Sequence, residues 1–224
     1  MRIKSLFLAA ALGGAALSLP ATALADEVFN APVATRHSRE RGMQTAIFAG
    51  GCFWGIEGVF SHVRGVSSAV SGYHGGRAAD ATYERVSAGG TGHAEAVRVT
   101  YDPTQVRYDQ LLQILFSVGA DPTLLNRQGP DRGTQYRAAI VPTTAEQRAV
   151  AASYVRQMGT SGVWQRPIVV RVESYERFFP AEAYHQDFML NNPNHGYIRR
   201  WDAPKVQALR TQFPSLWRER FRTG

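Results

Sequence analysis

The single cysteine of the chain, Cys52, is the residue best suited to carry out chemistry. It follows Gly50-Gly51 and precedes a stretch in which apolar residues recur at helical spacing, so it should lie at the start of a helix. The helix dipole and the free backbone N–H groups at that position favour a thiolate, which predicts a lowered pKa and a nucleophilic sulfur. Phe53 and Trp54 follow directly and offer wide apolar faces to a non-polar substrate group.

Three other interpretations of Cys52 are open at this point. Free cysteines are often small buried core residues. A cysteine–histidine hydrolase or acyl transferase would use His93 or His185 as its base. A binding module would use the cysteine and its aromatic neighbours only to form a peptide-recognition pocket. A lone cysteine excludes an internal disulfide framework and a Cys-rich metal site, and the spacing of the histidines fits no metal site.

Length and composition predict one domain behind an export signal. The chain has 224 residues, of which 44% are hydrophobic and 19% charged, enough for one sizeable core. Residues 1–25 combine Arg2 and Lys4 with an apolar run and Ala23-Leu24-Ala25, which is typical of a signal peptide. The run has about 14 residues, short of the roughly 20 that cross a bilayer. We therefore expect an exported bacterial protein, periplasmic or secreted, without a stable membrane anchor.

The formal net charge of +7 comes almost wholly from arginine. The arginines are scattered along most of the chain rather than clustered with stacking aromatic residues, which argues against nucleic-acid binding.

The apolar patterns predict an α+β fold, a two-layer sandwich around a mixed β-sheet, after a flexible leader over residues 26–43. We expect strands at residues 45–49, 66–72, 93–101, 135–141 and 168–173, and helical segments at 53–63, 81–87, 108–118, 143–158 and 181–190. Residues 119–133 should form a long loop. We expect a ferredoxin-like plait with long glycine-rich loops.

Several short blocks resemble the A-type peptide methionine sulfoxide reductases. Gly51-Cys52-Phe53-Trp54-Gly55 is similar to the active-site signature of that family. The other blocks are Ser71-Gly72-Tyr73, Thr82-Tyr83, Gly92-His93-Ala94-Glu95-Ala96-Val97, Tyr101-Asp102-Pro103, Gly133-Thr134-Gln135-Tyr136-Arg137 and Ala181-Glu182-Ala183-Tyr184-His185-Gln186, in the family's order. The resemblance implies a catalytic domain over residues 44–200 and a C-terminal extension over residues 201–224.

Reduction of a sulfoxide needs an acid as well as a nucleophile, because the sulfur is electrophilic only when its oxygen receives a proton. Glu95 is the one acid in residues 92–101, and burial among its small apolar neighbours would raise its pKa. The resemblance implies this role for Glu95, with the hydroxyls of Tyr83 and Tyr136 as further donors. The expected products are methionine and a sulfenic acid on Cys52.

The resemblance also implies a substrate pocket. Phe53 and Trp54 would hold the methyl group on sulfur and select the S epimer, and Asp131 and His185 would support the pocket through hydrogen bonds. The substrates implied are oxidised proteins or free methionine sulfoxide, and we expect a monomer with no bound cofactor.

Many members of this family carry additional cysteines that resolve the sulfenic acid, and this chain has none. Ser87 lies where some of them place such a cysteine, and the segment after His195 lacks one. We therefore expect an external thiol reductant, either a thioredoxin-like or glutaredoxin-like donor protein or a small thiol.

Overall fold

A computed structural model describes residues 28–224, so the predicted signal peptide lies outside the described residues. The helices are α1 (Phe53–Ser61), α2 (Tyr83–Ala88), α3 (Tyr108–Ile114), α4 (Ala145–Gly159), α5 (Phe188–Asn191) and α6 (Ala203–Gln212). The strands are β1 (Gln44–Gly50), β2 (Val66–His74), β3 (Ala94–Tyr101), β4 (Arg127–Gln128), β5 (Asp131–Arg132), β6 (Ala138–Val141), β7 (Arg171–Val172) and β8 (Phe178–Pro180).

Six strands form one mixed sheet in the order β7-β6-β1-β3-β2-β8. The β6–β7 pair is parallel and the other pairs are antiparallel. This confirms the predicted α+β fold around a mixed sheet. The strands β4 and β5 form a separate two-stranded ribbon within the predicted loop.

The two faces of the sheet bury different residues, as the strand period of two requires. Ala46 and Phe48 of β1 belong to the large core that includes α1, α3 and α4, whereas Ile47 and Ala49 belong to a smaller cluster on the opposite face. Glu95 lies on β3 of this sheet, whereas Cys52, Tyr83 and Tyr136 lie in the connections between its strands.

Several elements differ from the sequence-based expectation. The strand expected at residues 135–141 begins at Ala138, because Thr134–Tyr136 form a 3-10 turn. The strand expected at residues 168–173 is only Arg171–Val172, and β8 was not expected because it is three residues long and ends in proline. The helix expected at residues 181–190 is a 3-10 turn, Ala183–His185, followed by α5, since Asp187 adopts a left-handed conformation with φ 54°. The helix expected at residues 108–118 ends its α-helical part at Ile114 and continues as a π-turn.

The segment that was expected to be a flexible leader contacts the body over the residues described. Ala31 and Ala34 are buried in the core. The Ala31 N–H donates to Ser117 Oγ at 3.1 Å, and the Tyr154 hydroxyl donates to the Pro32 carbonyl at 2.8 Å.

The C-terminal residues, expected to be an extension, also pack on the domain. A π-turn, Ile198–Asp202, leads into α6, whose Leu209 is fully buried. A Cβ atom added to Gly55 of α1 would lie 2.3 Å from Asp202 Oδ1, so α1 and this turn are in direct contact. Across residues 28–224, no helix has both the length and the apolar character needed to traverse a bilayer.

Candidate active site

A turn after β1 fixes the position of Cys52. Gly51 has φ +88°, a left-handed conformation that favours glycine, and a Cβ atom there would lie 2.5 Å from the Cβ of Gln128. The Gln128 amide is itself held by the Asp121 backbone, accepting at 2.9 Å and donating at 2.8 Å. The turn delivers Cys52 as the N-cap residue of α1, as the sequence predicted.

Burial dominates the protonation of Cys52. It raises the pKa of the thiol well above its ordinary value, and the charges of Glu95 and Asp202 raise it further. The Trp54 N–H lowers the pKa of the thiol. The prediction of a lowered pKa from the helix start is therefore wrong in net direction, and the resting protein holds a thiol at neutral pH.

Glu95 lies beside this cysteine although it is distant in sequence. It is 2% exposed on β3, and its Oε2 accepts the Phe53 N–H at 3.0 Å. Burial raises its pKa from 4.5 to about 8; the charges of Asp131 and Asp202 add to this, and the Phe53 N–H opposes it. Glu95 thus keeps its proton at neutral pH.

Tyr83 and Tyr136 complete what we call the Cys52 pocket, formed by these two tyrosines with Cys52 and Glu95. Burial raises the pKa of both phenols, and both interact electrostatically with Glu95 and Cys52. Their hydroxyls stay protonated at neutral pH and are able to donate. The backbone N–H of Tyr83 donates to Glu182 Oε1 at 2.9 Å, which fixes the start of α2.

The two aromatic residues after Cys52 have different surroundings. Phe53 is buried, with its ring 5.0 Å from that of His185. Trp54 stacks on Phe188 with ring centroids 3.8 Å apart, and its Nε1–H donates to His185 Nδ1 at 3.1 Å. Burial lowers the pKa of His185, which suits a neutral ring that accepts at Nδ1.

Asp131 bonds one of two residues near Cys52 that the sequence analysis did not single out. Its Oδ2 accepts the hydroxyl of Tyr197, whose pKa is raised by burial and by the charge of Cys52. Asp202, the second, is buried against Gly55 and raises the pKa of both Cys52 and Glu95. Tyr197 and Asp202 lie some 150 residues after the cysteine in sequence, and no local spacing marks them.

The histidines that a hydrolase would use are not among the charged groups that act on Cys52, although the ring of His185 lies beside Tyr83 and Phe53 and its Nε2 has no hydrogen-bond partner within residues 28–224. His93 accepts the Gly76 N–H at Nδ1 (3.1 Å), and its Nε2 lies 3.0 Å from the Arg77 carbonyl. His185 Nδ1 accepts from Trp54. The charged groups that act on Cys52 are the three carboxyl groups of Glu95, Asp202 and Asp131. The pocket therefore favours acid catalysis over activation of Cys52 by a histidine.

A second buried carboxyl group lies outside the Cys52 pocket. Glu57 of α1 is fully buried, and burial raises its pKa from 4.5 to about 8. Neither of its oxygens has a hydrogen-bond partner within normal geometry among the described residues. The Asp187 N–H and Ser71 lie near enough to lower its pKa, and the charge of Asp187 raises it. We call Glu57 with Ser61 and Ser71, whose hydroxyls are likewise buried without a hydrogen bond, the Glu57 cluster.

Comparisons with known proteins identify a family. Residues 44–216 match the family model of peptide methionine sulfoxide reductase. The chain is 54% identical to peptide methionine sulfoxide reductase MsrA 2 of Mesorhizobium japonicum, over 80% of this chain and 92% of that protein. It is 48% identical to MsrA 2 of Synechocystis sp., over 92% and 95% respectively.

Solved structures show the same similarity. Reduced Mxr1 from Saccharomyces cerevisiae aligns with a TM-score of 0.62 at 28% identity, over 71% of this chain and 90% of that one. Methionine sulfoxide reductase A of Corynebacterium diphtheriae aligns with a TM-score of 0.57 at 29% identity, over 73% and 89%.

Proposed function

The chain belongs to the A-type peptide methionine sulfoxide reductase family of thiol-dependent oxidoreductases, and from that premise we propose that the Cys52 pocket reduces the S epimer of methionine sulfoxide in oxidised proteins and in the free amino acid. One observation carries the proposal. Glu95, a carboxyl group that is protonated at neutral pH, binds the backbone N–H of the residue directly after the only cysteine. A nucleophile and an acid are thus adjacent, as sulfoxide reduction requires.

The first half of the reaction uses two protons. The Cys52 sulfur attacks the sulfoxide sulfur while Glu95 protonates the oxygen, and the thiol proton of Cys52 supplies the second hydrogen of the departing water. A bond forms between the two sulfurs, the sulfur–oxygen bond breaks, and Glu95 is left as a carboxylate. Tyr83 and Tyr136 donate hydrogen bonds to the oxygen while it carries developing charge.

The second half regenerates the acid. A water molecule attacks the Cys52 sulfur and displaces methionine, whose sulfur is now a reduced thioether. The oxygen of this water stays on Cys52 as a sulfenic acid, one of its hydrogens returns to Glu95, and the other remains on the sulfenic acid. The sulfoxide is reduced by two electrons and the cysteine is oxidised by two.

The aromatic residues position the substrate in this scheme. Phe188 covers one face of Trp54, and the methyl group packs against the rest of the indole and the neighbouring Phe53. The bond from Trp54 to His185 fixes the plane of the indole, and the Tyr197–Asp131 pair closes the side near Cys52. An asymmetric pocket of this kind accepts one epimer at sulfur.

Recycling requires reducing equivalents from outside the chain. The one cysteine present has no internal partner, so an external thiol condenses with the sulfenic acid, releasing water and forming a mixed disulfide. A second thiol then releases Cys52 as a thiol. A thioredoxin-like or glutaredoxin-like protein or a small thiol supplies both thiols.

We place this repair activity outside the cytoplasm of a bacterium. The support is the charged start, apolar run and small-residue cleavage pattern of residues 1–25. The enzyme then acts as a monomer on exported proteins, and the reductant must be delivered to the same compartment.

Intact-protein mass spectrometry tests the chemistry. Protein treated with substrate and no reductant should gain one oxygen atom at Cys52 and release one equivalent of methionine. Cys52→Ser should do neither while keeping its fold. Release of methionine by Cys52→Ser, or a covalently linked dimer as the main product of the native chain, would contradict the proposed intermediate.

A further inference from the structure

One aromatic side chain at the edge of the Cys52 pocket has no role in the scheme above. Tyr184 is 63% exposed, whereas the next residue, His185, is 2% exposed. Both lie in the 3-10 turn Ala183–His185, so the turn directs one ring into the protein and the adjacent ring outward.

The backbone that carries Tyr184 is tightly held. Glu182, which precedes the turn, accepts the Tyr73 hydroxyl at 2.8 Å and the Tyr83 N–H at 2.9 Å. Its carbonyl accepts the His185 N–H at 2.9 Å, and the Gln186 side chain after the turn bonds both backbone groups of Ser71 at 3.0 Å. The exposed ring therefore stands on a fixed base rather than on a free loop.

A continuous series of ring contacts joins Tyr184 to the catalytic residues. Its ring lies 4.2 Å from that of His185, and His185 lies 4.3 Å from Tyr83 and 5.0 Å from Phe53. His185, Tyr83 and Phe53 thus lie between Tyr184 and the substrate sulfur of the proposed function. Tyr184 lies on their solvent side.

We propose that Tyr184 forms a peptide-binding surface that packs against the side chain next to the oxidised methionine in a protein substrate. The inference rests on the proposed function and adds to it a preference for substrates in which that neighbour is apolar or aromatic. An exposed tyrosine on a fixed backbone offers a large contact area and loses little conformational entropy on binding. Free methionine sulfoxide has no neighbouring residue and gains nothing from this surface.

Steady-state kinetics on Tyr184→Ala test the proposal with three substrates: free methionine sulfoxide, a blocked tripeptide with leucine on both sides of the sulfoxide, and its glycine counterpart. We expect KM for the leucine peptide to rise about fivefold, the loss of one aromatic contact, with kcat unchanged. KM for the other two substrates should change by less than about twofold. Tyr184→Phe should keep the native preference, because packing rather than the hydroxyl carries it.

Tyr175→Ala is a matched control, since Tyr175 is also exposed (48%) but packs against His74. His74 follows Tyr73 on β2, so the His74 side chain points to the face of the sheet opposite to that of Tyr73. Equal losses on all three substrates, no loss on any of them, or the same loss in Tyr175→Ala would overturn the assignment. Failure of the native chain to reduce any of the three would instead contradict the proposed function.

Discussion

Glu95 and Glu57 are both buried carboxyl groups with a pKa raised to about 8, yet they lie in very different surroundings. Glu95 binds the N–H of Phe53 and interacts with Cys52 and two phenols. Glu57 lies within α1 near Ser71 and Asp187, and neither of its oxygens has a hydrogen-bond partner of normal geometry within residues 28–224. A pKa raised mainly by burial does not by itself mark a catalytic acid. What makes one of these acids a catalyst in our proposal is a nucleophile within reach of the same substrate atom.

Replacing Glu95 or Glu57 by glutamine should give the largest difference between the two regions, measured as the loss of kcat. Glu95→Gln keeps the hydrogen-bond acceptor for Phe53 but carries no transferable proton, so kcat should fall roughly 100-fold or more. Glu57→Gln should leave kcat within about threefold, because the carboxyl groups that act on Cys52 are those of Glu95, Asp202 and Asp131. Turnover of methionine sulfoxide by both variants, with circular dichroism to verify folding, measures this. Comparable losses in the two variants would show that the effect of Glu95 is structural.

The pH profile of kcat/KM should identify which of the two carboxyl groups controls the rate. Since the proposed first step uses the proton of Glu95, activity should decline as pH rises through about 8, approaching a tenfold fall per pH unit above it. Glu57 titrates in the same range, so the native profile cannot distinguish them and Glu57→Gln must be measured. Its alkaline decline should persist unchanged. If the alkaline decline shifts to another pH or disappears in Glu57→Gln, the titration of Glu57 controls the rate, which contradicts our mechanism.

The free energy of unfolding should depend on pH through Glu57 and Glu95 alike. Each folded-state pKa of about 8 exceeds the ordinary 4.5, so between these values the folded protein holds protons that the unfolded chain has lost. The contribution is fully present below pH 4.5, declines as pH rises and is lost by about pH 8. Each group adds at most about 1.4 kcal/mol per pH unit to this slope.

Urea unfolding of the native chain, Glu57→Gln and Glu95→Gln between pH 5 and 9 measures this slope. The free energy of unfolding should fall less steeply in either variant than in the native chain, and by a similar amount in both. An unchanged slope in one variant would mean that its carboxyl group is not protonated in the folded state.

The parts of the site that were predicted lie within single elements. Cys52 at the start of α1 follows from one glycine pair and one periodic stretch, and a buried Glu95 follows from its apolar neighbours on β3. The protonation of Cys52 was predicted wrongly because the helix start is a local feature. Burial and the carboxyl groups of Glu95 and Asp202, which oppose it, come from tertiary packing.

The parts that were missed depend on long-range contacts or unusual backbone. Tyr197 and Asp202 reach the cysteine only because the C-terminal segment folds back over α1. The break before α5 depends on the left-handed conformation of Asp187, which no apolar period reveals. Strand β8 is too short to show alternation.

Contact between α1 and the turn before α6 gives the C-terminal residues an influence on the reacting sulfur. Asp202 lies just past the expected end of the catalytic domain at residue 200. It packs against Gly55, which has no side chain, and its charge raises the pKa of Cys52. A protein shortened at that boundary would therefore lose the charge that Asp202 places beside the cysteine. The acidity of Cys52 thus depends on a residue far from the Gly51-Cys52-Phe53-Trp54-Gly55 signature.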